Sequence, residues 1–377
     1  MKLFFPKETN PEETRVALLP VDAGRLASLG AQVGAEAGIG ESLSIPDEQY
    51  EAAGAQISED RGASLSSTDM VLRISVPSSE DIRHLKEGCL HVSFMEPFRN
   101  FGVVRRLAGR KVSGISLEMI PRTTIAQKMD VLSSQANLGG YVAVVLAAER
   151  QERILPMMMT PCGTIAPARV FVIGAGVAGL QAIATAKRLG ARVDAFDVRA
   201  EAREQIMSLG AKAVDLDLGQ TGQTKDGYAK RLTDEQLRIQ QEAMAELCAK
   251  SDVVIAAAQV FGRKAPLIVT NKMLDGMKPG SVVVDLAVAT GGNVESSVAG
   301  QEIRRKGVLI IGRTDLERHV PASASQMFSS NLYNFIEHFW DKEARAFVLD
   351  RDNEIIQDCL VTHGGEIVST KIKEAIG

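Results

Sequence analysis

Residues 169–179 read Arg-Val-Phe-Val-Ile-Gly-Ala-Gly-Val-Ala-Gly, an apolar run followed by three glycines at G-x-G-x-x-G spacing. The apolar run predicts a buried β-strand, and residues 177–189 predict a helix that ends at Gly190. A glycine-rich turn can serve packing alone, but here it lies between a strand and a helix. That context predicts a dinucleotide site in which the pyrophosphate meets the helix N-terminus.

Each part of this motif has a separate expected role. Gly174 permits the tight turn, Gly176 lets backbone amides approach a pyrophosphate, and Gly179 lets the helix pack closely on the strand. Asp197 follows Gly179 by eighteen residues and ends the next predicted strand. A carboxylate there accepts ribose hydroxyls and repels a 2′-phosphate, so the expected cofactor is NAD(H). The predicted cofactor-binding residues are Gly174, Ala175, Gly176, Val177, Ala178, Gly179, Asp197 and Arg199, although an arginine at position 199 can also accommodate a 2′-phosphate.

The chain beyond the motif continues the alternation of strands and helices. Further strands are predicted at 192–196, 212–214, 252–258, 281–286 and 308–311, several of them apolar almost throughout. Thr233-Asp-Glu-Gln236 is a capping box for a helix that runs to about Lys250. Strands that are buried on both faces and alternate with helices predict a doubly wound parallel sheet.

The first 120 residues repeat this rhythm more weakly, and we expect a second Rossmann-like α/β domain there. Its strands are predicted at 3–5, 32–35, 70–74, 90–94 and 114–117, with helices at 21–29 and 101–107. Residues 323–339 form an amphipathic helix pattern that would cross back to this domain. The predicted domains are therefore 1–135 plus 322–377, and 136–321, with a cleft between them.

Composition excludes several classes of function. The net charge of −4 supplies no general basic field for nucleic acid. Four cysteines are scattered without CxxC or Cys/His pairing, which argues against a metal site and a disulfide framework. The N-terminal apolar run is too short for a signal peptide, and stretches such as 141–148 fall short of the roughly 20 residues that span a bilayer. We expect a soluble protein of a reducing compartment, with no segment inserted in the membrane.

A proton-transfer group for dehydrogenase chemistry is not evident. Oxidation of an alcohol or amine requires a base near the substrate, yet none of the five histidines lies in a recognisable motif. The most polar cluster is the segment 121–137, PRTTIAQKMDVLSSQAN. Taken by itself, that segment is typical of a solvated loop that leads into a helix.

Longer segments resemble the NAD(H)-binding component of proton-translocating nicotinamide nucleotide transhydrogenases, within the alanine dehydrogenase/transhydrogenase family. The resemblance is carried by 121–144 (PRTTIAQKMDVLSSQANLGGYVAV), by 156–191 around the glycine motif, by 197–212 and by 278–293 (KPGSVVVDLAVATGGN). It also includes Gly227-Tyr-Ala-Lys230, and it extends from RVALLP at 15–20 to NLYNFI at 331–336.

The resemblance implies two Rossmann-like domains, a homodimer, and hydride transfer between NADH and NADP⁺ held by a separate component. It implies that Arg122 and Ser133 engage the carboxamide end of the nicotinamide, that Gln127 and Asp130 lie near the nicotinamide riboses, and that Tyr228 belongs to a mobile loop over the nucleotide. Membrane-spanning subunits would couple the reaction to proton translocation, with this chain cytoplasmic and peripheral at the inner membrane. Hydride transfer between two nicotinamides moves no substrate proton, which accounts for the missing base.

Two other functions remain open from the sequence. Alanine dehydrogenase resembles this chain at Lys7, Glu8 and Arg15, but its lysine, histidine and aspartate correspond here to Arg73, Glu96 and either Ala289 or Thr290. A non-catalytic NAD-binding module would be expected to carry damage in the 121–137 loop, and the four polar positions there are intact.

Overall fold

A computed structural model describes residues 1–216 and 233–376. In chain order its strands are β1 (Lys2–Phe5), β2 (Gln32–Glu36), β3 (Gln56–Ser58), β4 (Met70–Leu72), β5 (Leu90–Ser93), β6 (Ser113–Ser116), β7 (Met158–Thr160), β8 (Gly163–Ile165), β9 (Arg169–Ile173), β10 (Arg192–Phe196), β11 (Lys212–Ala213), β12 (Val253–Ala256), β13 (Val282–Asp285), β14 (Gln301–Arg305), β15 (Val308–Gly312), β16 (Trp340–Asp341), β17 (Ala346–Phe347), β18 (Leu360–His363) and β19 (Glu366–Ile367).

The helices alternate with these strands, as the sequence pattern predicts. They are α1 (Pro20–Ser28), α2 (Asp47–Ala52), α3 (Arg61–Ser67), α4 (Ser79–His84), α5 (Phe101–Gly109), α6 (Val131–Arg150), α7 (Val177–Arg188), α8 (Ala202–Ser208), α9 (Asp234–Lys250), α10 (Asn271–Asp275), α11 (Pro321–His338), α12 (Glu354–Cys359) and α13 (Thr370–Ile376). The capping box before α9 is confirmed, because the Thr233 side chain accepts from the Gln236 amide and the Gln236 side chain accepts from the Thr233 amide.

Two compact units divide the chain. One comprises Met1–Gln135 and Arg318–Gly377, and the other comprises Ala136–Glu317. The first division falls inside α6, and the second falls at Glu317 and Arg318, where the sequence pattern placed it at 321 and 322.

The unit Ala136–Glu317 is built on a seven-stranded sheet of order β11-β10-β9-β12-β13-β15-β14. All neighbours in it are parallel except β14 and β15. The chain order reverses between β9 and β12, which is the point where doubly wound sheets bind ligands at their carboxyl edge. Phe171 and Val254 lie among the buried side chains that pack this sheet.

The other unit has an eight-stranded sheet of order β19-β18-β6-β5-β4-β1-β2-β3. Strands β1 to β6 are parallel, and the C-terminal strands β18 and β19 join antiparallel at the β6 edge. The predicted class of two Rossmann-like domains with parallel sheets flanked by helices is therefore confirmed in its parallel core.

Several elements were not predicted from the sequence. The series in the glycine-motif unit does not simply close at 308–311, because β14 precedes β15 and pairs with it antiparallel. Its sequence, Gln-Glu-Ile-Arg-Arg, lacks the apolar run of a buried strand because it lies at the sheet edge. Lys306 and Gly307 both have positive φ, as a two-residue hairpin turn requires. The β7–β8 hairpin and the β18–β19 pair were likewise missed.

Helix α6 differs from the expectation that no apolar segment is long enough to span a bilayer. Among the described residues it is the one helix that is long and apolar enough to do so by length and composition alone, and its most apolar stretch is more than half buried within the protein. The helix exceeds the apolar stretch seen in the sequence because it also includes polar residues such as Ser133, Ser134 and Gln135.

Helix α6 packs on the start of α7 through a glycine. A methyl group on Gly140 would overlap the carbonyl oxygen of Ala178, in the glycine motif, whereas a methyl group on the preceding Gly139 would meet nothing within 4 Å. The contact between α6 and the motif therefore requires glycine at one of two adjacent positions.

We predict that Gly140→Ala destabilises the protein by about 1–3 kcal/mol, because the two backbones must separate. The thermal midpoint should fall by roughly 5 °C. Gly139→Ala is the matched control: it should leave the midpoint unchanged or raise it slightly, since alanine is favoured over glycine in a helix by about 1 kcal/mol. Equal midpoints for the two variants in thermal unfolding would contradict this account of the packing.

Candidate functional site

The glycine motif forms a tight turn at the carboxyl end of β9. Gly174 has a φ of 93°, a conformation that residues with a Cβ rarely adopt. A methyl group on Gly179 would overlap the Gly174 carbonyl oxygen, so α7 and the end of β9 touch backbone to backbone. Gly176 precedes α7, and no atom would lie within 4 Å of a Cβ there. The first and third glycines are thus required by the turn and the packing, and the second faces open space.

The open space above Gly176 is suited to an anionic group. The backbone amides of the first turn of α7 have no partner within the helix, and the helix dipole places positive partial charge at the same end. Ala175 is buried, while Val177 and Ala178 begin the helix. A pyrophosphate therefore fits this loop by both charge and space.

Asp197 lies directly after β10, beside the glycine motif, and its carboxylate is already engaged. One oxygen accepts from the Ala175 amide at 2.7 Å, and the other accepts from the Arg199 amide at 2.9 Å. The Arg199 side chain adds two bonds to the same carboxylate, both 2.9 Å long. Only 7% of the Asp197 side chain is exposed, so its position is fixed by the loop and by Arg199 together.

Arg199 acts on Asp197 in this arrangement. Its guanidinium also donates to the Ala175 carbonyl at 3.2 Å, which joins it to the glycine loop. The hydrogen bond from Asp197 raises the pKa of the Arg199 guanidinium, so the pair remains ionised. An arginine committed to a neighbouring carboxylate is less available to a 2′-phosphate than its place in the sequence indicates.

The second predicted cluster lies in the other unit, in the segment that leads into α6. Asp130 precedes this helix and caps it, because its carboxylate accepts from the Ser133 amide at 2.8 Å and from the Ser133 hydroxyl at 2.5 Å. Gln127 and Arg122 are exposed on the same segment. Gln127 lines a shallow groove of about 390 Å³ between the segment and the end of α11. The structure thus pairs two of the four predicted residues and leaves the other two on the surface of one loop.

Two asparagines that the sequence analysis missed hold this loop. Asn331 and Asn334 both lie on α11, and both side chains donate to the Lys128 carbonyl, at 2.7 and 3.3 Å. Asn331 also accepts from the Ser134 hydroxyl at 2.7 Å. The signal in the sequence is a pair of amides three residues apart in NLYNFI, since that spacing places both on one side of a helix.

Tyr228, predicted to close over the nucleotide, lies outside the described residues, as does the rest of Gly227-Tyr-Ala-Lys230. Arg73, which corresponds to the substrate lysine of alanine dehydrogenase, is buried and donates to Asp81 at 2.6 Å and to Glu8 at 3.2 Å. Arg73 is therefore committed to ion pairs inside its own unit.

We predict that Asn331→Ala costs about 1–2 kcal/mol of stability, because the loss of this buried side chain leaves Lys128 with only the longer bond from Asn334. Amide exchange in residues 121–130 should become faster. Asn334→Ala is the matched control on the same helix and acceptor, and it should cost less than about 0.5 kcal/mol because its side chain is half-exposed. Denaturant unfolding and hydrogen exchange of both variants measure these effects; an equal cost for the two would show that Asn331 does not hold the loop.

Comparison with known proteins matches both units. The model of the alanine dehydrogenase/PNT N-terminal domain matches residues 4–139, and that of the alanine dehydrogenase/PNT C-terminal domain matches residues 143–370. The chain is 42% identical over 375 residues to a NAD(P) transhydrogenase subunit alpha protein of Rhodospirillum rubrum, covering 98% of each chain. It is 38% identical to the protein of the same name from Rickettsia prowazekii, covering 99% of this chain and 98% of that one. A crystal structure of transhydrogenase from Sinorhizobium meliloti is 42% identical, with a TM-score of 0.85 over 98% of this chain and all of that chain.

Proposed function

This chain belongs to the alanine dehydrogenase/PNT family, and on that premise we propose that it is the NAD(H)-binding component of a proton-translocating NAD(P) transhydrogenase. The observation that carries the proposal is the glycine loop, which faces open space at Gly176 and is joined to the fixed carboxylate of Asp197. The names of the 42% and 38% identical relatives support the transhydrogenase activity, an oxidoreductase reaction.

In this proposal the unit with the glycine motif holds the adenosine and pyrophosphate of NAD(H). Amides around Gly176 bind the pyrophosphate, and Asp197 accepts the hydroxyls of the adenosine ribose. To do so the carboxylate exchanges part of its bonding to Ala175 or Arg199 for bonds to the ribose. Arg199 keeps the carboxylate charged and oriented. NADP(H) is held by a separate component, because a 2′-phosphate would meet the carboxylate of Asp197.

The reaction then depends on alignment of the reacting groups. Bound NADH supplies a hydride from its nicotinamide ring. Arg122 and Ser133 orient the carboxamide end of that ring, Gln127 and Asp130 bind near its ribose, and Tyr228 helps to exclude water. Because hydride transfer between nicotinamides releases no substrate proton, a general base is not required. The pairing of Arg73 with Asp81 and Glu8 disfavours the amine chemistry of the alternative, alanine dehydrogenase.

Partners complete the proposed enzyme. Membrane-spanning subunits couple the transfer to proton translocation, and this chain is a cytoplasmic, peripheral component held at the inner membrane through them. A homodimer is supported by the β7–β8 hairpin, whose Met158, Met159 and Ile165 are exposed. Exposed apolar side chains of this kind favour burial against another surface, here a second copy of the chain.

We predict that the chain binds NADH well and NADPH poorly, and that Asp197→Ala reverses part of this preference. The variant loses the ribose contact and frees Arg199 for a 2′-phosphate, so NADH affinity should fall and NADPH affinity should rise. Calorimetry with both nucleotides measures the two changes. Asp215→Ala, which breaks a surface ion pair with Arg203, is the matched control and should change neither affinity. Equal NADH and NADPH affinities in the unaltered chain would count against the assignment.

We predict that Gln127→Asn leaves NADH affinity within a few-fold but lowers hydride transfer at least roughly tenfold, or about 1.4 kcal/mol of transition-state stabilisation. The binding energy resides mainly in the other unit, whereas a displacement of about 1 Å at the reacting atoms can cost on the order of a hundredfold in rate. The rate is measured by stopped flow after mixing with the NADP(H)-binding component of a transhydrogenase. Gln49→Asn, an exposed glutamine on α2, is the control. A mutant rate equal to that of the unaltered chain would make Gln127 a solvated loop residue, and turnover of L-alanine with NAD⁺ would favour the alternative enzyme.

A further inference from the structure

Asn293 is a buried polar residue outside every motif role assigned above. It follows Gly291-Gly292 in the loop after β13, and its exposed fraction is 0%. Its side-chain oxygen accepts from the Ala258 amide at 3.0 Å, and its side-chain nitrogen donates to the Ala258 carbonyl at 2.8 Å. The amide group therefore pairs with both polar groups of one residue, as a neighbouring β-strand would.

The backbone of Asn293 is fixed independently of this pairing. Its amide donates to the Asp285 carboxylate at 3.0 Å, and its carbonyl accepts from the Ile268 and Val269 amides, both at 2.9 Å. Asp285 is buried at the end of β13 and also accepts from the Val294 amide at 3.1 Å. Burial raises the pKa of the Asp285 carboxyl, and the three backbone amides bonded to it, those of Ala287, Asn293 and Val294, act in the opposite direction. Asn293 thus joins the loops that follow β12 and β13.

Ala258 lies directly against the glycine motif. The Ala257 amide donates to the Ile173 carbonyl at 2.8 Å, which continues the pairing of β12 with β9 past the strand end. A methyl group on Gly174 would lie 2.9 Å from the carbonyl carbon of Ala257 and 2.9 Å from the Ala258 amide nitrogen. The peptide between Ala257 and Ala258 is therefore one wall of the turn at Gly174, and the Asn293 side chain holds that wall from the other side.

We propose that Asn293 is a positioning residue for the dinucleotide, an inference that rests on the proposed function. By clamping Ala258 it keeps the loop after β12 against Gly174, at the carboxyl edge between β9 and β12 where doubly wound sheets bind their ligand. Asparagine suits this position because its amide both accepts from and donates to the same residue. An aspartate would keep the acceptor and lose both donors, and an alanine would leave the Ala258 and Pro266 carbonyls without their side-chain partner.

The test is NADH affinity in Asn293→Ala, measured by the change in NADH fluorescence on titration into the full chain. The Kd should rise at least roughly tenfold. Asn271→Ala is the matched control, because Asn271 lies in the same unit, its side chain accepts a bond from Ser296, and it contacts no part of the glycine motif. Its Kd should stay within about twofold of the unaltered chain at any comparable loss of thermal stability. If Asn293→Ala does not fold, Asn293→Asp is titrated instead, with the same expected rise.

A double-variant cycle separates positioning from general destabilisation. Gly174→Ala alone should weaken NADH binding, because the new methyl group meets a wall that cannot move. In the Asn293→Ala background the wall is released, so the same glycine change should cost clearly fewer fold in Kd. Failure of the unaltered chain to bind NADH would overturn the proposed function itself. Normal binding by the unaltered chain, with an unchanged Kd in the Asn293 variant or fully additive effects with Gly174→Ala, would overturn only the role of Asn293.

Discussion

Backbone-to-backbone contact around one tight turn is the constraint on which the nucleotide half of this protein depends. Helix α7 lies on the end of β9 at Gly179, helix α6 lies on α7 at Gly140, and the loop after β12 lies on Gly174. None of the three contacts leaves room for a Cβ. Because packed interiors tolerate little added volume, these glycines fix where the N-terminus of α7 points and where an anion can approach it.

Polar contacts then set the parts of the site that the glycines leave free. Asp197 is held by Ala175 and Arg199, so the acidic group that selects the nucleotide is positioned by the same loop that would bind the pyrophosphate. In the other unit, Asp130 caps α6 through Ser133, and Asn331 holds the Lys128 carbonyl. Both carboxylates are thus oriented by bonds to their neighbours before any nucleotide arrives, an arrangement that suits a reaction dependent on alignment.

The sequence predicted the parallel core and the glycine turn because their signals are local. Buried parallel strands appear as apolar runs, and G-x-G-x-x-G between a strand and a helix has few other uses. The antiparallel edges at β14 and at β18–β19 escaped because edge strands carry polar residues and depend on distant partners. Asn331 and Asn293 escaped for the same reason: each acts on a carbonyl far away in the chain, and nothing adjacent to them in the sequence shows that bond. The functional roles of the loop residues came only from the family resemblance, since their spacing by itself also suits a solvated loop.

The most direct test of the central claim follows the hydride itself. The chain is mixed with the NADP(H)-binding component of a transhydrogenase, NADP⁺ and NADH deuterated at the transferring position of C4, and the NADPH formed is analysed by mass spectrometry. Direct transfer between nicotinamides predicts that the product carries the deuterium at the enrichment of the donor, in ordinary water and without any added amino acid or keto acid. Product that carries no deuterium, or no product until such a substrate is added, would contradict the account.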